Sequence, residues 1–300
     1  MKLLTLNMHK GFSALNRRFI LHELREAIRA SQADVVFLQE VLGDHREHST
    51  RYEEWPDGSQ YEFLADTIWS SFAYGKNAVY PEGHHGNALL SKYPILRHAN
   101  HDVSTRKAER RGLLHAVIHP PEEPRPMHLV CVHLGLTGGQ RREQIRLLCE
   151  LLARETDPED PVIVAGDFND WRQQAHDPLA AGAGLREVFI EAYGRAARTF
   201  PVRRPLLKLD RVYLRNLQVE QAEVLSGHPW RDLSDHAALS WHVHSHASRR
   251  NRGSPRGAAR PPVVGSARDA AVAAPLAPDQ LKPRRSSSGS MRASRPRKSR

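Results

Sequence analysis

The feature of the sequence that most restricts the fold is a series of short, almost continuous apolar runs. Examples are "ADVVFLQEV" at 33–41, "MHLVCVHLG" at 127–135 and "PVIVAGDF" at 161–168. Such runs predict strands buried on both faces, because a strand with one solvent-facing side alternates polar and apolar residues. Further strands are predicted at 2–9, 86–94, 112–119, 208–216 and 236–244.

Helical patterns separate several of these strands. Apolar residues in 16–31 recur at the spacing of an amphipathic helix, which predicts a helix that begins near Asn16 as its cap. A second helix is predicted at about 139–154, and a third within 61–69. This order of elements predicts an α/β protein with sheets inside and helices outside.

The composition places few other demands on the chain. With 300 residues, 40% of them hydrophobic, it can form one large domain or two small ones without disulfides. Cys131 and Cys149 lie in apolar patterns, and we expect both to be buried thiols in a reducing compartment. Thr5, Asn7 and His9 interrupt the first apolar run too soon for an export signal. No run approaches the roughly 18 apolar residues of a membrane span, so we expect a cytoplasmic protein without a transmembrane segment.

The positive charge is concentrated at the end of the chain. The formal net charge is +10, but residues 246–300 carry 14 of the 44 Lys and Arg and 2 of the 34 Asp and Glu, which leaves residues 1–245 at −2. The last segment has no aromatic residue and no helical or strand period, so we predict one domain at 1–245 and a disordered basic tail at 246–300. The tail is either a solubilising extension or an electrostatic tether to nucleic acid or anionic lipid.

Polar side chains recur near the ends of the predicted strands. Because ligands bind where strand ends converge in layered α/β folds, these side chains indicate a site. They are Asn7, Glu40, His133, Asp167, Asn169, Asp210, Asp235 and His236.

Each of these residues also has an ordinary structural explanation. Asn7, Asp167 and Asn169 could be turn residues, and a lone His133 could be a core histidine. Glu40 is harder to explain in this way, because a carboxylate in a strand otherwise built for burial is costly unless a cation or metal pairs with it. The set as a whole therefore favours a functional site.

Metal-assisted hydrolysis of a phosphate ester uses these residue types. Mg²⁺ prefers one or two carboxylates together with water and phosphate oxygens, which Glu40, Asp235 and the amide of Asn7 could supply. A histidine whose pKa is about 6.5 can accept a proton from the attacking water, and a carboxylate can hold its ring in the required tautomer. Asn, His and Arg side chains can stabilise the charge on the phosphoryl oxygens.

The motifs resemble those of a known family in type and order. "LNMH", "FLQEV", "GNALLSKYPI", "VHL", "VAGDFND", "LDRVY" and "LSDHAAL" are similar to motifs of the endonuclease/exonuclease/phosphatase superfamily, and more closely to a bacterial branch of it. The resemblance covers about residues 2–244. It implies the DNase I-like fold, a four-layer α/β/β/α sandwich in which two mostly antiparallel sheets lie between helices and the site lies at one edge.

The resemblance also implies a role for each residue that matches a motif. Glu40 would bind the metal, with Asn7 and Asp235 near the same cation. His236 would activate water, and Asp210 would orient its ring.

Five further positions follow from the same comparison with the family. Asp167 and Asn169 would position the nucleophile and the phosphate, and His133 would contact the phosphate or the leaving group. His85 stands where some nucleases of the family have a glutamate paired with this histidine, which departs from the pattern. Arg111 is predicted to contact the phosphate; the alternative is a solvated surface position.

The predicted function is a Mg²⁺-dependent phosphodiesterase, with Mn²⁺ as an alternative metal, that acts on a nucleic acid or phospholipid-type diester. The near-neutral charge of residues 1–245 weighs against a dedicated duplex-DNA enzyme. Two alternatives stay open at this point: a phosphomonoesterase on a small or lipid-bound phosphate, and a non-catalytic phosphate-binding scaffold.

Overall fold

The computed structural model describes residues 1–14, 17–66, 68–106 and 109–245. The basic tail at 246–300, for which disorder was predicted, lies outside the described residues, and so does Asn16.

Twelve strands and six α-helices make up the described part of the chain. The strands are β1 (Lys2–Asn7), β2 (Val35–His45), β3 (Ser71–Tyr80), β4 (Gly83–Ser91), β5 (Ile95–Asp102), β6 (Gly112–Ile118), β7 (Met127–His133), β8 (Val162–Asp167), β9 (Arg186–Glu187), β10 (Asp210–Arg215), β11 (Leu217–Leu225) and β12 (Ala238–Ser245). The helices are α1 (Leu21–Ser31), α2 (Arg46–Arg51), α3 (Gln60–Ala65), α4 (Gly138–Glu155), α5 (His176–Ala183) and α6 (Val188–Tyr193). Among the described residues, no helix has the length and apolar character needed to cross a membrane.

The strands form two six-stranded sheets of similar design. Sheet I has the order β11-β12-β1-β2-β4-β3, and sheet II has the order β5-β6-β7-β8-β10-β9. Each sheet has one parallel pair near its middle, β1 with β2 and β7 with β8, and its other pairs are antiparallel. Because the strands of a parallel pair end on the same side, each sheet brings two carboxyl ends to one edge.

Three apolar clusters hold the layers together. Leu3 and Phe37 of sheet I pack with Leu129 and other residues of sheet II in the cluster between the sheets. Their neighbours point the other way, for example Leu4 into a cluster with α1 and α3, and Val130 into a cluster with α4 and α5. Successive side chains of a strand face opposite sides, so strands between two layers are apolar on both faces. The predicted four-layer sandwich is confirmed.

The strands absent from the sequence prediction lie at the edges of the sheets. β3 and β11 are the outer strands of sheet I, and β5 and β9 are those of sheet II. Most residues of β5 are exposed, so its sequence "ILRHANHD" has no apolar run. Edge strands bury less of their surface than inner strands, which removes the signal used to find them.

Two other predictions need correction. Helix α1 begins at Leu21 rather than near Asn16, because Phe19 first pairs with Phe12 in a β-bridge and the Ile20 N–H donates to Gly11 O at 2.9 Å. Cys131 is a buried free thiol as predicted, but Cys149 is a free thiol that is only half-buried.

Candidate functional site

Sheet I brings Asn7 and Glu40 to the shared edge. Glu40 lies in a bulge, because the pairing of β2 with β4 shifts register between Leu38 and Val41, and its φ is 56°. Bulges redirect side chains, and left-handed backbone at a residue other than glycine is strained and concentrates at functional sites. Asn7 Nδ2 donates to Glu40 Oε1 at 3.3 Å and to Asp167 Oδ2 at 3.2 Å. Asn7 therefore joins the carboxylates of the two sheets.

Sheet II contributes His133, Asp167 and Asp210. Asp167 at the end of β8 is the register partner of His133 in β7 and of Asp210 in β10. Asp210 begins its strand rather than ending it, and the antiparallel pairing brings it to the same edge. All three residues are buried, and His133 Nε2 lies 3.6 Å from Asp167 Oδ2.

His236 forms a dyad with Asp210. Its Nδ1 lies 2.9 Å from Asp210 Oδ2, and its Nε2 lies 4.0 Å from Asp167 Oδ2. Burial alone would lower the pKa of His236, but the carboxylates, with Asp210 the foremost, outweigh burial and raise the pKa to about 10. The ring is therefore an imidazolium at neutral pH. Ser234 holds the segment in place, because its Oγ donates to Asn7 O at 2.6 Å and accepts from His236 N at 3.1 Å.

The pKa values of Asp167 and His133 are shifted so that the neutral form of each side chain is favoured. Burial raises the pKa of Asp167; with His236 opposing and the charge of Asp210 reinforcing that rise, the value reaches about 6. Burial, assisted by the guanidinium of Arg111, lowers the pKa of His133 to about 3. His133 is therefore neutral at pH 7, although it faces the same Asp167 oxygen as the charged His236.

Asn169 is fixed by the turn after β8. Its φ is 49°, its N–H donates to Asp167 Oδ1 at 2.8 Å, and its Nδ2 donates to Leu134 O at 2.9 Å. Gly166 precedes this turn at a point where a Cβ would lie 2.0 Å from Val132 O. The motif "GDFN" therefore allows the backbones of β7 and β8 to come close while it aims two polar side chains at the edge.

Asp235, like Glu40, is a partly exposed acid of the predicted set, whereas Asp167 and Asp210 are buried. Its side chain is 24% exposed, and its Oδ1 lies 3.5 Å from His9 Nδ1. Its backbone oxygen accepts from Val202 N at 2.7 Å. The carboxylate is thus available at the rim of the site, next to the buried His236.

The donor set fits a divalent cation. Four carboxylates converge on this edge, those of Glu40, Asp167, Asp210 and Asp235, and Asp210 Oδ1 is buried without a hydrogen-bond partner in the described part of the chain. Crowded buried carboxylates repel one another unless a cation neutralises them, and Mg²⁺ prefers oxygen ligands. Asp167, Asp210 and His236 place donor atoms within 4.8 Å of one another. We regard that trio as a charged dyad beside a carboxylate, because Nδ1 of the ring is already bonded to Asp210.

Arg111 lies beside the site rather than on a solvated surface. Its Nη2 is 2.9 Å from Glu109 Oε1, and its side chain is 12% exposed. With Lys76 and Arg110 it lines a cavity of about 480 Å³. His85 lies near Glu40, and burial together with Lys10 and other neighbouring charges lowers the pKa of His85 to about 4. A neutral imidazole thus occupies the position for which the family resemblance suggested a glutamate.

A buried charged group under the site was absent from the sequence prediction. Asp170 accepts from Ala175 N at 2.8 Å through Oδ2 and from Arg211 Nη2 at 2.9 Å through its backbone oxygen, and Arg141 Nε lies 3.9 Å from its Oδ1. These three charged residues are at most 4% exposed. The signal was available, since Arg211 interrupts an apolar strand just as Glu40 does. Phe200, whose ring centre lies 4.9 Å from that of His236, was also missed.

Comparisons with known proteins match most of the described residues. The model of the Endonuclease/Exonuclease/phosphatase family matches residues 4–236. The chain is 57% identical over 243 residues to YbhP of Escherichia coli (strain K12), which covers 81% of this chain and 96% of that protein.

Two solved structures illustrate the range of proteins with this fold. D. rerio TDP2 in complex with a single-strand DNA product has a TM-score of 0.60 and 18% identity, with 82% of this chain and 99% of that chain covered. The mannosyl-6-phosphatase Bt3783 of Bacteroides thetaiotaomicron VPI-5482 has a TM-score of 0.60 and 14% identity, with 81% and 99% covered.

Proposed function

The chain belongs to the Endonuclease/Exonuclease/phosphatase family, and on that premise we propose that it is a Mg²⁺-dependent phosphodiesterase, with Mn²⁺ able to replace Mg²⁺. The substrate class is a phosphodiester of the nucleic acid or phospholipid type. The observation that carries the proposal is the Asp210–His236 dyad, held at 2.9 Å and aimed at Asp167 where strand ends of both sheets meet.

The dyad is assigned to the attacking water. Asp210 fixes the tautomer of His236 by accepting from Nδ1, which leaves Nε2 to exchange a proton with water. Because Asp167 helps to keep this ring protonated in the free protein, His236 becomes a base when the charge of Asp167 is neutralised. When bound, a divalent cation held by Glu40, Asp235 and Asn7 would polarise a phosphoryl oxygen. Its positive charge would also counter the carboxylates around His236 and so lower the pKa of that ring.

The remaining residues position the phosphate and its leaving group. Asp167 and Asn169 orient the water and the phosphate, and the rigid turn after β8 supports this role. His133, neutral because it is buried beside a cation, donates a hydrogen bond to a phosphoryl or leaving-group oxygen. Arg111 supplies a positive charge from the neighbouring cavity.

Hydrolysis of bis(p-nitrophenyl) phosphate tests the proposal. We expect turnover with Mg²⁺ or Mn²⁺, none in EDTA, and a loss of about 10²–10⁴-fold in the variants Asp167→Ala and His236→Ala. Asp177→Ala, which removes an exposed acid from α5, is the matched control and should retain wild-type activity. Full activity in EDTA would contradict the proposal.

Product analysis separates a diesterase from the two alternatives. A phosphomonoesterase releases inorganic phosphate from p-nitrophenyl phosphate more efficiently than it cleaves the diester. A binding scaffold turns over nothing in a panel of single-stranded DNA, RNA, phospholipids and inositol phosphates with Mg²⁺ present. Cleavage of one class in that panel names the substrate.

A further inference from the structure

A second cavity, outside the site described above, lies between α6, the segment 195–208 and β11. Its volume is about 540 Å³, within the range of roughly 300–1,000 Å³ that small-molecule sites occupy. None of the predicted site residues lines it. Its apolar lining includes Phe189 of α6 and Ala222 and Val224 of β11. Phe189 and Ala222 are almost fully buried, which gives the cavity an apolar floor.

Three cations surround this floor. Arg195 and Arg198 are exposed, Lys208 is half-buried, and one carboxylate, Glu223, shares the lining with them. Within the described ranges, none of the three cations makes an ion pair or a hydrogen bond through its side chain. In the cavity beside the site, by contrast, Arg111 has its own carboxylate partner. Like charges gathered without partners repel one another, so an anion placed among them is favourable.

We propose that this cavity binds a phosphorylated small molecule whose remaining part is apolar or planar. The phosphate lies among Arg195, Arg198 and Lys208, where charge-assisted hydrogen bonds compensate its desolvation. The rest of the ligand packs against Tyr193, which is 57% exposed, and against the partly exposed Val224, and so buries apolar surface. A nucleoside monophosphate and a short-chain phospholipid both have this chemistry.

The segment 195–208, which lines the cavity, also contacts the strand that carries Asp210 of the dyad. Arg198 precedes Thr199, whose Oγ1 accepts from Asp210 N at 3.3 Å and whose backbone oxygen accepts from Ala237 N at 2.8 Å. Lys208 lies two residues before Asp210. A ligand in the cavity therefore contacts a segment that positions the dyad, although neither residue of the dyad lines the cavity.

Amide NMR titrations in EDTA test the proposal, because they report where each probe binds. The probes are inorganic phosphate, AMP and dihexanoyl phosphatidic acid below its micelle concentration. We expect saturable shifts at 196–198 and 222–226, and an affinity at least tenfold higher for AMP or for the lipid than for inorganic phosphate. A preference for AMP identifies a nucleotide ligand, and a preference for the lipid identifies a phospholipid.

Charge variants supply the control. Arg198→Gln/Lys208→Gln should weaken binding at least tenfold, whereas Arg46→Gln/Arg142→Gln, which removes two exposed cations elsewhere, should change it less than twofold. Equal Tm values for the two variants would show that both are folded. Shifts confined to the site edge, equal affinity for all three probes, or equal weakening by both variants would overturn the proposal.

Discussion

His133 and His236 approach the same carboxylate oxygen from the two sheets, and their pKa values move in opposite directions. Both residues are buried, at 7% and 6% exposure, and both lie within 4.0 Å of Asp167 Oδ2. Burial lowers the pKa of each ring. Asp210 then raises that of His236 to about 10, whereas Arg111 lowers that of His133 further, to about 3. Burial acts in the same direction on both rings, so their neighbours account for the difference in charge between them.

The difference divides the chemistry of the site between the sheets. The segment that enters β12 of sheet I provides a histidine that holds a proton and can exchange it. The end of β7 in sheet II provides a neutral histidine that can donate a hydrogen bond without adding positive charge. At pH 7 a phosphoryl group between them would face one charged and one neutral partner.

Asp210→Asn should remove most of the difference between the pKa values of His236 and His133, and it should have the largest effect on activity. Without the carboxylate, the pKa of His236 should fall toward its usual value of about 6.5, and the dyad should lose its tautomer, so kcat/KM should drop about 10²–10⁴-fold. Histidine NMR titration and diester kinetics measure the two effects. Asp177→Asn is the matched control, and an unchanged His236 pKa in Asp210→Asn would contradict the assignment.

Arg111→Gln should reduce the difference between the two histidine pKa values by acting on His133. Removing the guanidinium should raise the pKa of His133 and lower kcat/KM by about 10–100-fold, since one donor to the phosphate is lost. Arg142→Gln is the control, because Arg142 is exposed on α4 and does not line this cavity. Equal kinetics for the two variants would show that Arg111 does not contact the phosphate.

The free energy of unfolding should depend on pH in opposite directions for the two histidines, and this is the smallest of the expected effects. The pKa of His236 is raised on folding, so its contribution to the free energy of unfolding is present below about pH 6.5 and is lost as the pH rises toward 10. The pKa of His133 is lowered on folding, so its contribution is present above about pH 6.5 and is lost as the pH falls toward 3. Each contribution should change by roughly 2–4 kcal/mol across its window.

Urea unfolding of wild type, His236→Asn and His133→Asn at pH 4.5, 6.5 and 9 measures this. The difference between wild type and His236→Asn should shrink toward pH 9, and the difference between wild type and His133→Asn should shrink toward pH 4.5. Differences that vary with pH in the same direction for both variants would contradict the opposite pKa shifts.

The sequence predicted the inner strands and missed the outer ones. Strands β1, β2, β7 and β8 have apolar side chains toward two layers, so their sequences differ from those of loops and helices. Strands β3, β5 and β11 have at least one open side, and a mixed polar pattern at an edge is not distinctive. Burial on both faces is therefore what made the fold class predictable.

The local sequence pattern indicated candidate residues for the site, but it did not indicate which of them contact one another. A carboxylate or an arginine inside an apolar run is unusual in any sequence, so Glu40 could be singled out, and Arg211 could have been. Which residue pairs with which was not encoded locally: Asn7 bonds to Asp167 across 160 positions, and Ser234 bonds to Asn7 across 227.

By itself the sequence determined that buried strands end in polar side chains, because hydrophobic patterning and residue chemistry are local. Only the tertiary structure decided that two sheets meet at one edge, that Asp210 arrives there at the start of its strand, and that Arg111 faces His133 while Asp210 faces His236. The charge on each histidine depends on these distances, since an electrostatic shift depends on separation in space and not along the chain.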